Sequence, residues 1–342
     1  MIRDLAEART RLSRLAGRPL EAAEVSREVD KVIRGCLAYD GWCLIGFDPL
    51  TGLRTLQLGG RGTGHTAEMA RNEAVMADAN KYVELAAAPV PVGWLSAEHP
   101  AARHSFRLHE VLLPQGFHSE VRVALRDVDG LWGALVLFRE DPARPFGPGD
   151  TAALVALGEA LTGVVRAFPV RPLARRGPPP GAGVVAVTGD DEVVEVGGHA
   201  QEWLDDLVPG GDDETGPDDV TRVVLDAAHA VRRDAGPDAA SCVRTVGGHW
   251  LRVEGGATAL GPADVVVVLR PAVVDELLAP LARYRRLTPR ELAVLRLVAR
   301  GLPTKHVARE LGLSPLTVDG HLRTVYRKCA VTGRDELLAS LR

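Results

Sequence analysis

The sequence predicts a multidomain chain: two successive α+β regions and a closing all-α module of four helices. Three observations carry this. Two separate stretches place turn residues such as Asp129-Gly130 and Gly247-Gly248 between apolar runs, the mark of antiparallel hairpins. Between them lies PVRPLARRGPPPG, residues 169–181, which suits neither a helix interior nor a central strand. Beyond about residue 287 the apolar spacing becomes helical and the strands stop. A chain of 342 residues also exceeds one ordinary core.

The elements follow in order. Residues 1–38 carry two helical stripes, Ile2, Leu5, Leu12, Leu15 and then Val25, Val29, Val32, Ile33, Cys36, broken at Gly17-Arg18-Pro19. WCLIGFD and LRTLQL flank the turn Pro49 to Gly52, and a helical stretch lies near 67–88. EVRVALRDV and LWGALVLF form a second hairpin. A helix over 150–168 closes the region with Leu154, Leu157, Leu161 and Val165 on one side. Over about residues 20–168 this succession resembles a GAF domain, which implies a sensory fold that recognises a small molecule or a partner. Trp42, Phe47, Trp94 and Trp132 are the candidate pocket lining, or equally core aromatics of the sheet.

After the linker come GVVAVT, EVVEV, a short helix at 200–207, a helix at 218–233, the hairpin CVRTV/HWLRVEG and the strand DVVVVLRP. Two strands, small helices and three strands resemble a PAS-like domain, with Asp and Gly residues at 210–216 shortening its middle. The expected boundaries are 1–168, a linker at 169–181, 182–272, a connecting helix at 273–286, and 287–342.

The last segment holds the densest signals. Thr288-Pro289-Arg290-Glu291 carries an N-cap, a proline where no N–H is needed, and a capping-box glutamate. Leu292, Leu295 and Val298 follow on one face, and Gly301 ends the helix. A short helix at 304–311 stops at Gly312. Ser314-Pro315 opens a third helix with Val318, Leu322, Val325 and Cys329 inward, and Leu337, Leu338 and Leu341 mark a fourth. Short helix, glycine turn and capped longer helix make a helix-turn-helix. LTPRE, VARGL, ARELGLSPLTV, HL and YRK are similar to the LuxR-type DNA-binding domain over about 55 residues. That resemblance implies double-stranded DNA as partner, with the helix opened by Ser314 in the major groove and the final helix aiding dimerisation.

Charge agrees. Residues 281–342 hold 13 Lys and Arg against five Asp and Glu, a net +8, whereas the remaining 280 residues carry −12. The resemblance makes Thr304, Lys305, Ser314, Thr317, Val318, His321, Arg327 and Lys328 candidate DNA contacts. Asp319 and Gly320 stand where the family usually has a lysine and a larger residue. Asp319 places negative charge near phosphates but can accept from cytosine N4, and Arg323 can fork onto guanine O6 and N7. Pro303 and His306 replace a frequent Ser/Glu capping box, so the second helix lacks that start.

Other constellations read more blandly. His99, His104, His109 and His118 invite a metal, but spacings of five turn successive residues away from one helix face. GGRGTGHT, residues 59–66, lacks the Lys-Ser/Thr of a phosphate loop, and a strand-exit loop is the simpler reading. Cys36 and Cys43 are a redox pair or two small apolar residues. No nucleophile and base converge, so neither an enzyme nor a cofactor is expected. The charged opening MIRDLAEARTRL lacks a secretory pattern. No apolar run approaches the roughly 20 residues of a membrane helix. A cytoplasmic homodimeric regulator of transcription is the expectation; the competing class is a sensor or scaffold whose helix-turn-helix binds protein.

Overall fold

The structure, a computed structural model, describes residues 5–18, 20–61, 66–171, 177–207, 222–233, 239–259 and 261–341. It divides into two compact units, 1–271 and 272–342. Ile2, residues 62–65 of the loop at 59–66, the middle of the linker and the Asp/Gly stretch at 210–216 lie outside the described residues.

The first unit holds two lobes. The first lobe runs α1 (Leu5–Leu15), α2 (Ala22–Arg34), β1 (Gly41–Phe47), β2 (Arg54–Gly59), α3 (Thr66–Val75), α4 (Tyr82–Ala87), β3 (Val92–Ser96), β4 (Ser119–Asp127), β5 (Gly130–Arg139) and α5 (Pro148–Ala167). Its antiparallel sheet has the order β2-β1-β5-β4-β3. Both faces are covered, which is why every residue of β1 is buried. Trp42 and Leu44 join α1, α2 and α5 on one face, while Cys43, Ile45 and Phe47 join Tyr82, Leu108 and Leu112 on the other.

The expected helical stretch at 67–88 is two helices. The chain turns between them at Asn80, whose φ is 58° and whose side-chain amide donates to Trp94 O at 3.0 Å. The stripe of α1 is not free for a partner: Leu12 and Leu15 are buried in the core beneath α5 and Leu5 packs against it. Residues 148–170, α5 and the turn after it, reach a mean hydropathy of 1.5, and among the described residues this is the one helix long and apolar enough to cross a membrane. Half of that window is buried here, because Leu154, Leu157, Leu161 and Val165 pack on the sheet.

The second lobe runs β6 (Gly183–Thr188), β7 (Val193–Gly198), α6 (Ala200–Leu207), α7 (Arg222–Arg232), β8 (Ala240–Arg244), β9 (Trp250–Ala257) and β10 (Ala263–Pro271). Its sheet order, β7-β6-β10-β9-β8, repeats that of the first lobe strand for strand. Here α6 and α7 cover one face, so β10 alternates between buried and half-exposed positions. The lobes meet through polar pairs. Arg54 Nε lies 3.0 Å from Asp226 Oδ2, Ser241 Oγ donates to Asp48 Oδ2 at 2.8 Å, and Arg222 donates to Gln57 Oε1.

The second unit is all-α: α8 (Val274–Tyr284), α9 (Pro289–Ala299), α10 (Thr304–Leu311), α11 (Pro315–Cys329) and α12 (Arg334–Ser340). Leu337 and Leu341, expected at a dimer contact, are buried in this bundle with Leu278, Leu295 and Val325.

Candidate nucleic-acid interface

Local chemistry fixes each helix of the second unit. Thr288 Oγ1 accepts from Glu291 N at 3.3 Å while Glu291 Oε2 accepts from Thr288 N at 2.8 Å, so the capping box closes in both directions. Gly312 ends α10 with φ 63° and ψ 38°, a conformation that favours glycine, and Leu313 N then donates to Ala308 O. Pro303 gives α10 no side-chain cap. Ser314 Oγ accepts from Thr317 N at 3.1 Å to start α11. Along α11, Val318, Leu322, Val325 and Cys329 are buried at helical spacing against α9, α10 and α12.

The opposite face of α11 is open. Leu316, Thr317, Asp319, Gly320, Arg323 and Arg327 are all exposed. Asp319, Arg323 and Arg327 succeed one another at steps of four, on one row. Neither arginine side chain has a hydrogen bond or ion pair with a described residue. Lys305 and Arg309 stand equally free and exposed on α10. Thr304 and His321 are half-buried, and Ser314 and Thr317 share a hydroxyl contact of 2.8 Å.

Two sequence-level candidates change role. Val318 has no exposed surface and belongs to the core with Val294 and Val298, so it cannot reach a base. Lys328 is spent inside the unit, its ammonium donating to Arg286 O at 2.7 Å and to Glu291 Oε2 at 2.6 Å. Burial pushes the Glu291 carboxyl up, but Lys328 and the Thr288 cap outweigh it and hold it below the ordinary range. The contact ties the end of α11 to the start of α9. Arg290 and Arg334 are likewise used on carbonyls, of Leu311 at 2.7 Å and of Leu302 at 2.8 Å. Part of the +8 charge is therefore structural, and the exposed side chains without a partner among the described residues include Lys305 and Arg309 on α10 and Arg323 and Arg327 on α11. Leu316, 77% exposed at the head of α11, was missed by the sequence reading; its place between Pro315 and Thr317, off the inward spacing of Val318, was the available signal.

The four aromatics expected to line a pocket do not converge. Trp42 and Trp94 belong to one side of the first sheet and Phe47 to the other, and Trp132 is fully buried with Nε1 donating to Asp127 Oδ1 at 2.7 Å. On the Phe47 side the sheet is filled by charge. Arg107 Nε donates to Glu120 Oε1 at 2.7 Å, and Arg122 reaches Glu120 at 3.3 Å and Glu73 at 2.9 Å. A void of about 20 Å³ remains there, too small for a drug-sized ligand. Among the described residues no three His, Cys, Asp or Glu are grouped to hold a metal. His109 Nε2 and Ala102 O lie 2.9 Å apart, and His99 Nδ1 accepts from Ala101 N. Cys36 packs at one face of the first sheet and Cys43 is buried at the other.

The family described as bacterial regulatory proteins, luxR family, matches residues 285–341. The chain is 35% identical over 82 residues to the nitrate/nitrite response regulator protein NarL of Escherichia coli K12, a span of 23% of this chain and 38% of NarL. It is 42% identical over 59 residues to a protein of Mycobacterium tuberculosis H37Rv named as an HTH-type transcriptional regulator, 17% of this chain and 7% of that one. The chain thus spans well under half the length of these curated relatives. Among solved structures, E. coli SdiA is similar at 12% identity and TM-score 0.36, over 98% of this chain and 96% of SdiA. A phycoerythrobilin-bound GAF domain from a cyanobacterial phytochrome is similar at 15% identity and TM-score 0.32, over 48% and 96%. The C-terminal unit carries a LuxR-type helix-turn-helix.

Proposed function

We propose that the chain is a DNA-binding regulator of transcription in which α11 enters the major groove and the first unit senses a small molecule or partner. The observation that carries this is a helix packed on one side, open on the other, and bearing unpaired arginines within the segment that matches the luxR family. Arg323 reads a base; Lys305, Ser314, Thr317 and Arg327 hold phosphates and set register. Asp319 and Gly320 make the base preference this protein's own. The first lobe is GAF-like and the second PAS-like, a reading supported by their antiparallel five-stranded sheets. The proposed domain limits are 1–168, 182–272 and 287–342, and the protein acts in the cytoplasm. A homodimer reads a two-fold site, through surfaces other than the buried stripes of α1 and α12.

A retardation assay on duplex fragments tests this. Binding weakens steeply between low and physiological salt, because neutralised phosphates release counterions. Arg323→Ala loses about 1–3 kcal/mol of discrimination at one base pair. Asp319→Lys tightens binding to all sequences; preference at one pair is lost with it if the carboxylate accepts from cytosine. Light scattering of the complex reads the dimer. A second reading, a helix-turn-helix that binds protein, is favoured by Leu316, whose exposed side chain suits an apolar partner surface. It becomes the better account if neither Arg323→Ala nor Asp319→Lys changes DNA binding.

A further inference from the structure

The filled face of the first sheet is not where the first unit has room. A larger cavity, about 420 Å³, lies at the junction of the two lobes, and that volume falls in the range of small-molecule sites. The first lobe supplies apolar walls, Phe47, Leu53 and Leu131, together with Tyr82. The second supplies Asp226 from α7 and Arg233 just beyond its end.

Four charged side chains line this space, Arg54 and Arg233 against Glu73 and Asp226, but they are not equally engaged. Asp226 is matched by Arg54 at 3.0 Å, and Glu73 by Arg122 at 2.9 Å. Arg233 is the least engaged: its side chain's one hydrogen bond with described residues goes to the neutral carbonyl of Ala74, at 3.3 Å. A second group is also unused. Tyr82 is 3% exposed, yet its hydroxyl has no hydrogen bond with any described residue. Burial raises its pKa to about 12, so it stands there as a neutral donor. Tyr82 lines the cavity, so an acceptor oxygen bound there can take this hydroxyl's hydrogen bond.

We propose that this junction binds a small organic anion, its apolar body against Phe47, Leu53 and Leu131, its charged group on Arg233 and its acceptor oxygen on the Tyr82 hydroxyl. This rests on reading the first unit as a sensor, and it moves the sensing site from the sheet face to the seam between lobes. Because the walls come from both lobes, occupancy strengthens their junction and raises the melting temperature of the first unit.

The full-length protein is titrated with 8-anilinonaphthalene-1-sulfonate and with its uncharged counterpart N-phenyl-1-naphthylamine, each followed by fluorescence. The anionic dye saturates one site and binds roughly tenfold tighter than the neutral dye, the worth of one charge-assisted hydrogen bond. Arg233→Ala, at an exposed position, removes that margin and Arg233→Lys keeps most of it. Tyr82→Phe weakens the anion severalfold, and Ala74→Trp, which fills the cavity, blocks both dyes while thermal melting confirms that the variant folds. Equal affinity for the two dyes, an unchanged margin in Arg233→Ala, or no saturable binding overturns the proposal. The same preparation is assayed for DNA retardation without dye. A protein that binds dye as described but no DNA sinks the regulator reading alone, and the reverse result sinks the anion site alone.

Discussion

In the first lobe β4 carries Glu120 and Arg122 on a face that α4 and the turns around Leu108 cover; in the second, β9 carries Arg252 and Glu254 on a face where Arg252 is half-buried and Glu254 is exposed. The two strands hold the same place in the same sheet order. Their sequences, EVRV and RVEG, show the same alternation of charge and valine. Glu120 nevertheless has no exposed surface, whereas the Glu254 side chain is 48% exposed. Alternation therefore tells which side chains share a face and leaves open what lies over that face. An added layer turns an ordinary solvated ion pair into a buried network whose every member needs its partners.

The largest expected effect follows at Glu120. Removing its carboxylate leaves Arg107 and Arg122 facing each other in a site from which water is excluded. Arg107 keeps the neutral Asn72 Oδ1 at 2.9 Å and Ala79 O at 2.8 Å, with Asp78 farther off at 3.6 Å, and Arg122 keeps Glu73 at 2.9 Å. Breaking a buried pair by deleting one partner costs about 3–5 kcal/mol, so Glu120→Ala should unfold at markedly lower urea. A loss under about 1 kcal/mol, the range of surface pairs, would erase the contrast between the lobes.

The next effect tests whether the contrast belongs to the lobe or to the covered face. The second lobe has its own buried group, Asp191, with His229 Nε2 at 2.9 Å and Arg232 Nη1 at 2.6 Å. Burial raises the Asp191 carboxyl, and the bonds from His229 and Arg232 outweigh that and leave it below the ordinary value. A folded carboxyl below its unfolded value contributes stability above the unfolded pKa, and loses it as pH falls through the folded one. Asp191→Asn should cost about 1–3 kcal/mol at neutral pH, less than Glu120→Ala because Arg232 is 20% exposed and reaches water as well as Asp264 at 2.8 Å. The cost should shrink on acidification. Melting curves taken from neutral pH down through the carboxylate range check it; a cost independent of pH counts against a role for the charged carboxylate.

The same distinction sets how much was legible beforehand. The helix-turn-helix could be read nearly residue by residue, because its signals are local: Thr288 and Glu291 cap each other three residues apart, Gly312 makes the turn, and the inward stripe of α11 falls at helical spacing. What escaped was set by partners distant in sequence. Lys328 looked like a phosphate ligand until Glu291, 37 positions away, proved to hold it. Val318 was placed among DNA contacts although the stripe already marked it as inward. In the first lobe the hairpins were plain, but Arg107 meets Asn72 across 35 positions and Arg54 meets Asp226 across the lobe junction, pairings that no local pattern announces. The aromatics of β1 were separable by a local signal, since alternation puts Trp42 and Phe47 on opposite faces, but the charged filling on the Phe47 side comes from distant residues.

The smallest effect is expected at Glu254, and its smallness is what the comparison needs. Its carboxylate lies 3.4 Å from Arg270 and 3.7 Å from Arg252, distances that a static view would count as a three-membered network. Each side chain borders solvent, however, with the two arginines 29% and 21% exposed, so water replaces the carboxylate when it is removed. Exposed pairs of this kind contribute about 0–1 kcal/mol and are screened by salt. Glu254→Gln should therefore change the urea midpoint by about 0.5 kcal/mol or less, and added salt should shrink even that. The parallel Glu120→Gln, sterically as mild, removes the anion that two buried cations share, leaving Arg107 with Asp78 at 3.6 Å and Arg122 with Glu73 at 2.9 Å, and should cost several times more, with little response to salt. Equal costs for the two glutamines would mean that the layer over β4 admits water as freely as the open face of β9.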